Sequence, residues 1–494
     1  MRLSEVLKNT DIECYSEIEI KGISLNSKDI KSDYIFFAIK GRESDGNLFI
    51  DEAIRNGAKV IITEEEINRK DAIVLRTKDI LKTLSVSSKN FYSNPSEKLN
   101  LIGITGTKGK TTTSFIIEKI LNYNGIKTGV IGTINYRSSK RIISEAENTT
   151  PLACKLNMLL DEIIKDGDEA AVMEVSSHSL KLKRVEDIQF NSAIFTNLQS
   201  DHMDFHKTME DYSRSKLILF ELLNKSDKKN KTAILNEDDP FSTEIKKVLS
   251  KEIKILTYSI EKNSDIKAKN IELNPWGSTF DIEHEGEKYE FKTELIGKHN
   301  IYNILAALAV GICRKIDFQK LSEAILEIKT VPGRVEKIES EEGFFAYIDY
   351  AHTEKSLIEV LKTLNSIPHS KIITVFGCGG DRDRTKRPLM GKAASSLSDF
   401  VVITNDNPRT EDPLEIIREI EKGIKDLGKT NYSVIPDRKE AINYAVNMAR
   451  KNDIILIAGK GHENYQIIGK EKFVFSDKET LIEAINLKKK KEKK

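Results

Sequence analysis

Cysteine is scarce: Cys14, Cys154, Cys313 and Cys378 are the only four in 494 residues, and no two form a C-x-x-C pair. This argues against a disulfide framework and against a structural zinc site, and it fits a reducing compartment. An excess of one charge is also missing. Lys plus Arg total 78 against 77 Asp plus Glu, so no global field points to nucleic acid or to a membrane surface. Long apolar runs are absent too, and none follows Met1-Arg2-Leu3-Ser4-Glu5, so neither a signal peptide nor a membrane span is expected and the chain is read as cytoplasmic. There is no internal repeat and no low-complexity linker. The one biased stretch, 488–494, is almost all lysine and is expected to be a solvated, frayed end. What remains, 39% hydrophobic and 31% charged residues, suits a soluble globular protein. At about 150 residues per domain, the length corresponds to roughly three domains.

Short apolar runs ending in Gly, Asn or Asp alternate with longer amphipathic stretches. The runs at 101–105, 171–175, 193–196, 372–376, 401–404 and 454–458 read as parallel strands of α/β units, buried on both faces. Tyr92-Ser93-Asn94-Pro95-Ser96 and Val331-Pro332-Gly333-Arg334 interrupt this pattern. They divide the chain into an expected N-terminal domain (1–97), a central domain (98–331) and a C-terminal Rossmann-like α/β domain (332–494). Residues 266–295 alternate around Trp276-Gly277 and are expected to form antiparallel strands at the edge of the central domain.

The strongest local signal is Gly103-Ile104-Thr105-Gly106-Thr107-Lys108-Gly109-Lys110-Thr111-Thr112, which follows an apolar run and opens a helical pattern. Small residues let backbone N–H groups turn toward phosphates, Lys110 supplies a point charge, and Thr111 is placed to ligate Mg²⁺. Five residues separate Gly103 from the Gly109-Lys110 pair, and two separate Gly106 from it, so the usual spacing of four is missed by one. Asn224-Lys225-Ser226-Asp227 matches a guanine-reading tetrapeptide. It follows a helical pattern and not a strand, and no strand-terminal Asp-x-x-Gly precedes it, so it reads as a helix end running into a polar loop.

Three polar clusters follow predicted strands: Asn148-Thr149-Thr150-Pro151, Glu174-Val175-Ser176-Ser177-His178 with Arg184, and Thr196-Asn197-Leu198 with Asp201-His202. Ligands of open α/β sheets bind beyond the carboxyl ends of strands, which would bring these clusters to one crevice. Taken singly, Glu174 or His202 reads as a structural hydrogen-bonder. Beside a phosphate loop, the two point to a second Mg²⁺, with Thr111 on the first.

With these motifs, and with Gly297-Lys298-His299-Asn300, Asp349-Tyr350-Ala351-His352-Thr353, Gly377-Cys378-Gly379-Gly380-Asp381-Arg382 and Gly459-Lys460-Gly461-His462-Glu463, the chain resembles the Mur ligase family over all three domains. The resemblance implies a three-domain architecture with a central P-loop ATPase domain. It also implies ATP-dependent amide-bond formation on a UDP-muramoyl peptide through an acyl phosphate, in bacterial peptidoglycan synthesis. By that resemblance Gly106, Thr107, Lys108, Gly109, Lys110, Thr111, Thr112, Asn300, Asn303, Arg334 and Asp349 bind ATP, with closure around ATP before chemistry. Leu25, Ser27, Asn148, Thr149, Thr150, Ser176 and Arg184 hold the UDP-muramoyl-dipeptide. Lys110, Glu174, His202 and Lys216 serve catalysis, with Thr111, Glu174 and His202 on Mg²⁺. Lys216, otherwise an ordinary helix residue, matches a lysine that is carbamylated in the family. The family's Leu-Asp-Ser-Arg stands here as Leu25-Asn26-Ser27-Lys28, and Leu182 stands where a Gln is frequent.

Asp406-Asn407-Pro408-Arg409 reads alone as an Asn-Pro turn. In the family it accompanies a diaminopimelate acceptor, with Arg382, Gly459 and Glu463 completing the contacts. A guanidinium fork suits the second carboxylate by which diaminopimelate differs from lysine. The expected acceptor is thus meso-diaminopimelate. L-lysine and the isosteric meso-lanthionine are the alternatives within the enzyme class, and a catalytically silent nucleotide-binding scaffold is the alternative outside it. Partners are expected to be small-molecule substrates only, with a monomeric chain.

Overall fold

Short continuous apolar runs build the first sheet. In the computed structural model, which describes residues 1–41, 44–284 and 286–492, strands β1 (Gly22–Ser24), β2 (Tyr34–Phe37), β3 (Ala58–Thr63) and β4 (Ile73–Arg76) lie in that order, all parallel. Ile35, Phe37, Val60 and Ile62 point to one face, against Leu3, Val6 and Leu84. Phe36 and Ile61 point to the other, against Ile50 and Ala53. Each residue step along a strand reverses the side chain, so both faces fill from one run.

The central sheet runs β12-β11-β10-β5-β9-β6-β7-β8. Its strands are β5 (Asn100–Thr105), β6 (Thr128–Ile131), β7 (Asn135–Arg137), β8 (Ile142–Glu145), β9 (Ala170–Glu174), β10 (Ser192–Phe195), β11 (Thr232–Asn236) and β12 (Lys254–Ser259). From β12 to β6 every pairing is parallel, and β7 and β8 add an antiparallel edge. Leu101, Met173, Ala193 and Phe195 enter one core with Leu156, Leu160, Leu219 and Phe220 of the covering helices. Asn224 and Lys225 close the helix Met209–Lys225, with Ser226 as its C-cap, as the helix-end reading required.

The chain divides into two compact units, Met1–Lys267 with Tyr302–Leu321, and Ala268–Ile301 with Ser322–Lys494. The second unit holds most of an antiparallel meander, β13 (Ile266–Asn274), β14 (Gly277–His284) and β15 (Glu287–Thr293), in line with the alternation around Trp276-Gly277. Its main sheet is β16-β17-β21-β18-β19-β20. The strands are β16 (Glu336–Ile338), β17 (Phe345–Asp349), β18 (Ile372–Phe376), β19 (Phe400–Ile403), β20 (Tyr432–Val434) and β21 (Ile454–Ala458), parallel except for β16. Helices cover both faces, giving two separate cores. A hairpin of β22 (Tyr465–Ile468) and β23 (Glu471–Val474) follows.

The lysine-rich end departs from expectation. Lys493 and Lys494 lie outside the described residues, but the helix Asp477–Glu492 continues through Lys488–491. The Lys488 amine donates to the carbonyls of Val446 and Ala449, which close the preceding helix Arg438–Met448. A cation at a helix C-terminus meets both orphan carbonyls and the negative end of the dipole, which anchors this turn. No helix among the described residues is long and apolar enough to cross a membrane.

Candidate active site

Between β5 and the helix Lys110–Tyr123 the backbone turns at Gly106 (φ +149°) and Gly109 (φ +88°). Neither position has room for a side chain. A Cβ at Gly106 would stand 1.9 Å from Thr196 Oγ1, and one at Gly109 would stand 2.4 Å from Asn303 Oδ1. The β10 terminus holds the loop: Thr107 N–H donates to Asn197 O (2.8 Å), Lys108 N–H to Asn197 Oδ1 (3.0 Å), and Thr196 Oγ1 to Lys108 O (2.7 Å). Lys110 Nζ folds back to donate to Gly106 O (2.9 Å) and Thr107 O (3.1 Å), and Lys108 Nζ faces Asp201 Oδ2 at 3.4 Å. Lys110, Thr111 and Thr112 open the helix, and its N-terminus with the lysine is an arrangement that suits an anion. Gly106→Ala should therefore destabilise the first unit by about 1–3 kcal/mol, through backbone strain and displacement of Thr196. An earlier first transition in urea unfolding would register it.

Glu174, at the end of β9 beside β5 and β6, is 1% exposed. Its carboxylate accepts from Thr111 Oγ1 (3.0 Å), Thr133 N–H (2.8 Å) and Thr133 Oγ1 (3.0 Å). Among the described residues no Lys, Arg or His pairs with it. A buried carboxylate held only by neutral donors retains its affinity for a cation. Two of the strand-end clusters meet here: Thr133 Oγ1 lies 3.1 Å from Thr149 Oγ1, Thr150 Oγ1 donates to Glu174 O (2.8 Å), and Ser176 N–H donates to Thr150 Oγ1 (3.1 Å). Arg184 Nη1 donates to Thr150 O at 2.9 Å, and Tyr136 OH donates to Asn148 O. Leu182, in place of a glutamine, caps the helix Ser177–Lys181 through its backbone.

Lys216 is buried within the helix Met209–Lys225, its amine 4.3 Å from the centre of the Tyr212 ring. Burial, with Lys110 acting in the same direction and Asp201 against it, pulls the amine well below the usual lysine range. Tyr212 OH reaches back to Thr107 Oγ1 (3.1 Å), which ties this helix to the phosphate loop. His202 (φ +56°) stacks edge-on with His178 at 4.9 Å. Burial lowers both imidazoles, His178 to about 4, so both are neutral at pH 7.

In the N-terminal sheet, Ser27 opens a short 3₁₀ turn capped by Asn26 Oδ1, which accepts from Lys28 N–H at 3.1 Å. Ser27 Oγ donates to Glu52, and Leu25 packs on the adjacent core.

The second unit holds the remaining candidates. Asp349, at the end of β17, accepts from Val335 N–H and Ala351 N–H, both at 2.8 Å. The Arg334 guanidinium lies 5.5 Å from the Tyr350 ring centre, and Asn300 Nδ2 donates to Ile296 O at 2.9 Å. Beyond β19 and β21, Asp406, Asn407, Pro408, Arg409, Gly459 and Glu463 converge. Asn407 Nδ2 donates to Glu463 Oε2 (3.2 Å), and a Cβ at Gly459 would lie 2.5 Å from Asp406 Oδ2. Arg409 Nη1 donates to Gly380 O at 2.7 Å, and a Cβ at Gly379 would meet both Arg409 Nη1 (2.9 Å) and Arg382 Cγ (3.8 Å). Burial, then Asp406, pushes the Glu463 carboxyl up against the pull of Lys460.

Several supporting residues had no role in the sequence reading. Thr133 fixes both Glu174 oxygens. Arg438 and Asp477, both fully buried, pair through Nε and Nη2 at 2.7 Å, and Arg438 also donates to Asn405 O and Ala458 O, the two strand ends that carry the Asp406 cluster.

Loop, carboxylate and strand order define a phosphate-loop α/β protein with a second, mixed-charge pocket. Three family models match successive segments: Mur ligase family, catalytic domain (19–101), Mur ligase middle domain (104–311) and Mur ligase, glutamate ligase domain (333–461). The chain is 42% identical over 495 residues to the UDP-N-acetylmuramoyl-L-alanyl-D-glutamate--2,6-diaminopimelate ligase of Clostridium tetani, covering 98% of this chain and 99% of that one. It is 43% identical over 469 residues to the protein of the same name from Bacillus cereus, with 94% of each covered. A solved structure of a ligase with that name superposes with a TM-score of 0.71 at 32% identity over 99% of both chains. The MurF ligase of Thermotoga maritima in complex with ADP shares the fold, with a TM-score of 0.63 at 20% identity over 96% of this chain and 98% of that one. The chain belongs to the Mur ligase family.

Proposed function

We propose that the chain is an ATP-dependent ligase that joins meso-2,6-diaminopimelate to the D-glutamate carboxylate of UDP-N-acetylmuramoyl-L-alanyl-D-glutamate, in the bacterial cytoplasm, for peptidoglycan synthesis. The observation that carries the acceptor is one pocket presenting the Arg409 guanidinium and the Glu463 carboxylate beside Asn407. Such a pocket matches a molecule whose far end bears both a carboxylate and an ammonium. Lysine would bring only the ammonium and leave the arginine without an anion.

The reaction is two displacements. The substrate carboxylate oxygen bonds to the γ-phosphorus of ATP and ADP departs, leaving an acyl phosphate. The neutral amine of the diamino acid then adds to the acyl carbon, and the tetrahedral adduct gives up a proton from nitrogen and expels inorganic phosphate to leave the amide. Two anions must approach in the first displacement, so the Lys110 charge and the donors of the 106–112 loop act there. Thr111, Glu174 and His202 are assigned to Mg²⁺, which when bound would supply further charge neutralisation at the phosphates. Asn148, Thr149, Thr150, Ser176 and Arg184 are assigned to the muramoyl dipeptide, Leu25 and Ser27 to its uridine end, and Asn300, Asn303, Arg334 and Asp349 to the nucleotide. Lys216 is assigned as the carbamylated lysine, because a neutral buried amine is the form that adds to CO₂.

Phosphate release with ATP, Mg²⁺ and the UDP-muramoyl-dipeptide, compared across meso-diaminopimelate, L-lysine and meso-lanthionine, tests this reading. Turnover should require a diamino acid with a carboxylate at both ends. Preference for lysine would overturn the acceptor, equal use of lanthionine would widen it, and release with none would leave a silent nucleotide-binding scaffold.

A further inference from the structure

Lys460 lies among the residues of the acceptor pocket, and the contacts assigned above leave it unused. It stands between Gly459 (φ +119°) and Gly461 (φ +56°), conformations that favour glycine. A Cβ at Gly461 would lie 2.8 Å from Tyr350 Cβ, so the chain is pressed close on both sides and the Lys460 side chain turns inward, 0% exposed. Its ammonium donates to Asn407 Oδ1 (2.9 Å) and Tyr465 O (2.8 Å), and faces Asp406 Oδ1 at 3.6 Å and Glu463 Oε2 at 3.8 Å. Ile467 N–H also donates to Asn407 Oδ1 (2.9 Å), so the Asn407 amide can present only its NH₂ to Glu463.

We infer that Lys460 is a positioning residue for acceptor specificity: its buried ammonium holds Asn407, Asp406 and Glu463 in one arrangement and sets the charge the pocket offers to the distal ammonium of the diamino acid. This rests on the proposed ligase reading. The physical reason is the balance of charge. Asp406 and Glu463 are two carboxylates in one poorly solvated pocket, and like charges so placed favour protonation of one of them. Glu463 is already pushed up by burial and by Asp406, and the Lys460 ammonium is the first influence drawing it back. The other groups acting on Glu463 are Asn407, through its hydrogen bond, and Arg409, Arg438, Tyr350 and Tyr465. Without the Lys460 charge, Glu463 takes up a proton and no longer attracts an ammonium. With it, the carboxylate stays ionised and Asn407 fixes its direction.

The test compares Lys460→Gln, which keeps an amide donor but no charge, with the wild-type enzyme. At neutral pH kcat/KM for meso-diaminopimelate should fall about tenfold or more, while KM for ATP stays unchanged. The sign with pH is specific: a Glu463 carboxyl raised further ionises at higher pH, so the acid limb of kcat/KM for the diamino acid should move to higher pH and the loss should shrink in alkali. A merely structural defect would lower activity evenly across pH and for ATP as well, and that outcome overturns the proposal. If Lys460→Gln folds poorly, the Glu463→Gln background decides: there Lys460→Met should cost little further acceptor selectivity, and a loss as large as in wild type overturns it. Failure of the ligase reading itself would show earlier, as absence of diamino-acid-dependent phosphate release by the wild-type protein.

Discussion

Lys216→Met should retain the fold and lose diaminopimelate-dependent phosphate release by on the order of 10²-fold or more in kcat. The lysine is fully buried against Tyr212, and both burial and the nearby Lys110 disfavour its charged form. A buried cation beside another cation stabilises nothing, so a methionine of similar length should leave the melting temperature equal or higher. The chemistry needs the opposite charge. The neutral amine bonds to CO₂, a proton leaves, and the resulting carbamate is an anion near Lys110 and the phosphate loop. Because the amine sits well below the usual lysine range, its neutral form persists to a lower pH than that of a free lysine. Further acidification protonates the nitrogen, releases CO₂ and should remove activity, and added bicarbonate should oppose the loss. Lys216→Arg keeps a cation and cannot carry a carbamate, so it should fail as the methionine variant does. Wild-type rates in either variant would exclude the carbamate role, and a labelled carbonyl carbon on the wild-type protein, seen by NMR after ¹³C-bicarbonate, would identify it directly.

What the sequence made legible was whatever depends on local pattern. Strands buried on both faces stand out as continuous apolar runs, which is why β5, β9, β10, β18, β19 and β21 fall within a residue of where the runs lie. The phosphate loop is legible for the same reason, since its glycines, lysine and flanking strand and helix are contiguous. Supporting residues are not. Thr133 is an unremarkable threonine after β6, and it reaches Glu174 only because β6 lies beside β9 in the sheet, with Ile131 opposite Met173. Arg438 and Asp477 are two ordinary charges in sequence, and only the folded sheet buries them as a pair. The lysine-rich end misleads for a related reason. Composition reports solvation, whereas Lys488 is fixed by the carbonyls of a helix far from it in sequence. Long-range pairing decides all three, and no local window contains it.

Arg409→Ala should lower kcat/KM for meso-diaminopimelate by on the order of 10²-fold or more and leave the KM for ATP unchanged. Removing the guanidinium leaves the substrate carboxylate without its donor. The backbone makes this position a demanding one. Arg409 sits at φ +51°, a conformation that L residues rarely adopt. It is held there by the β22–β23 hairpin: Arg409 N–H donates to Ile467 O (3.1 Å), and Gly469 N–H donates to Arg409 O (2.8 Å). The side chain then reaches Gly380 O. Arg409→Gly relieves the backbone and removes the guanidinium, and Arg409→Ala removes the guanidinium alone. If the fork recognises the acceptor carboxylate, both variants lose diaminopimelate use to a similar degree. Arg409→Lys should lose most of it too, since a single ammonium cannot bind both carboxylate oxygens in the plane. Recovery of activity in the glycine variant alone would instead place the effect in the backbone. A matching fall in ATP binding across all three would indicate that the Asp406–Arg409 turn had lost its fold.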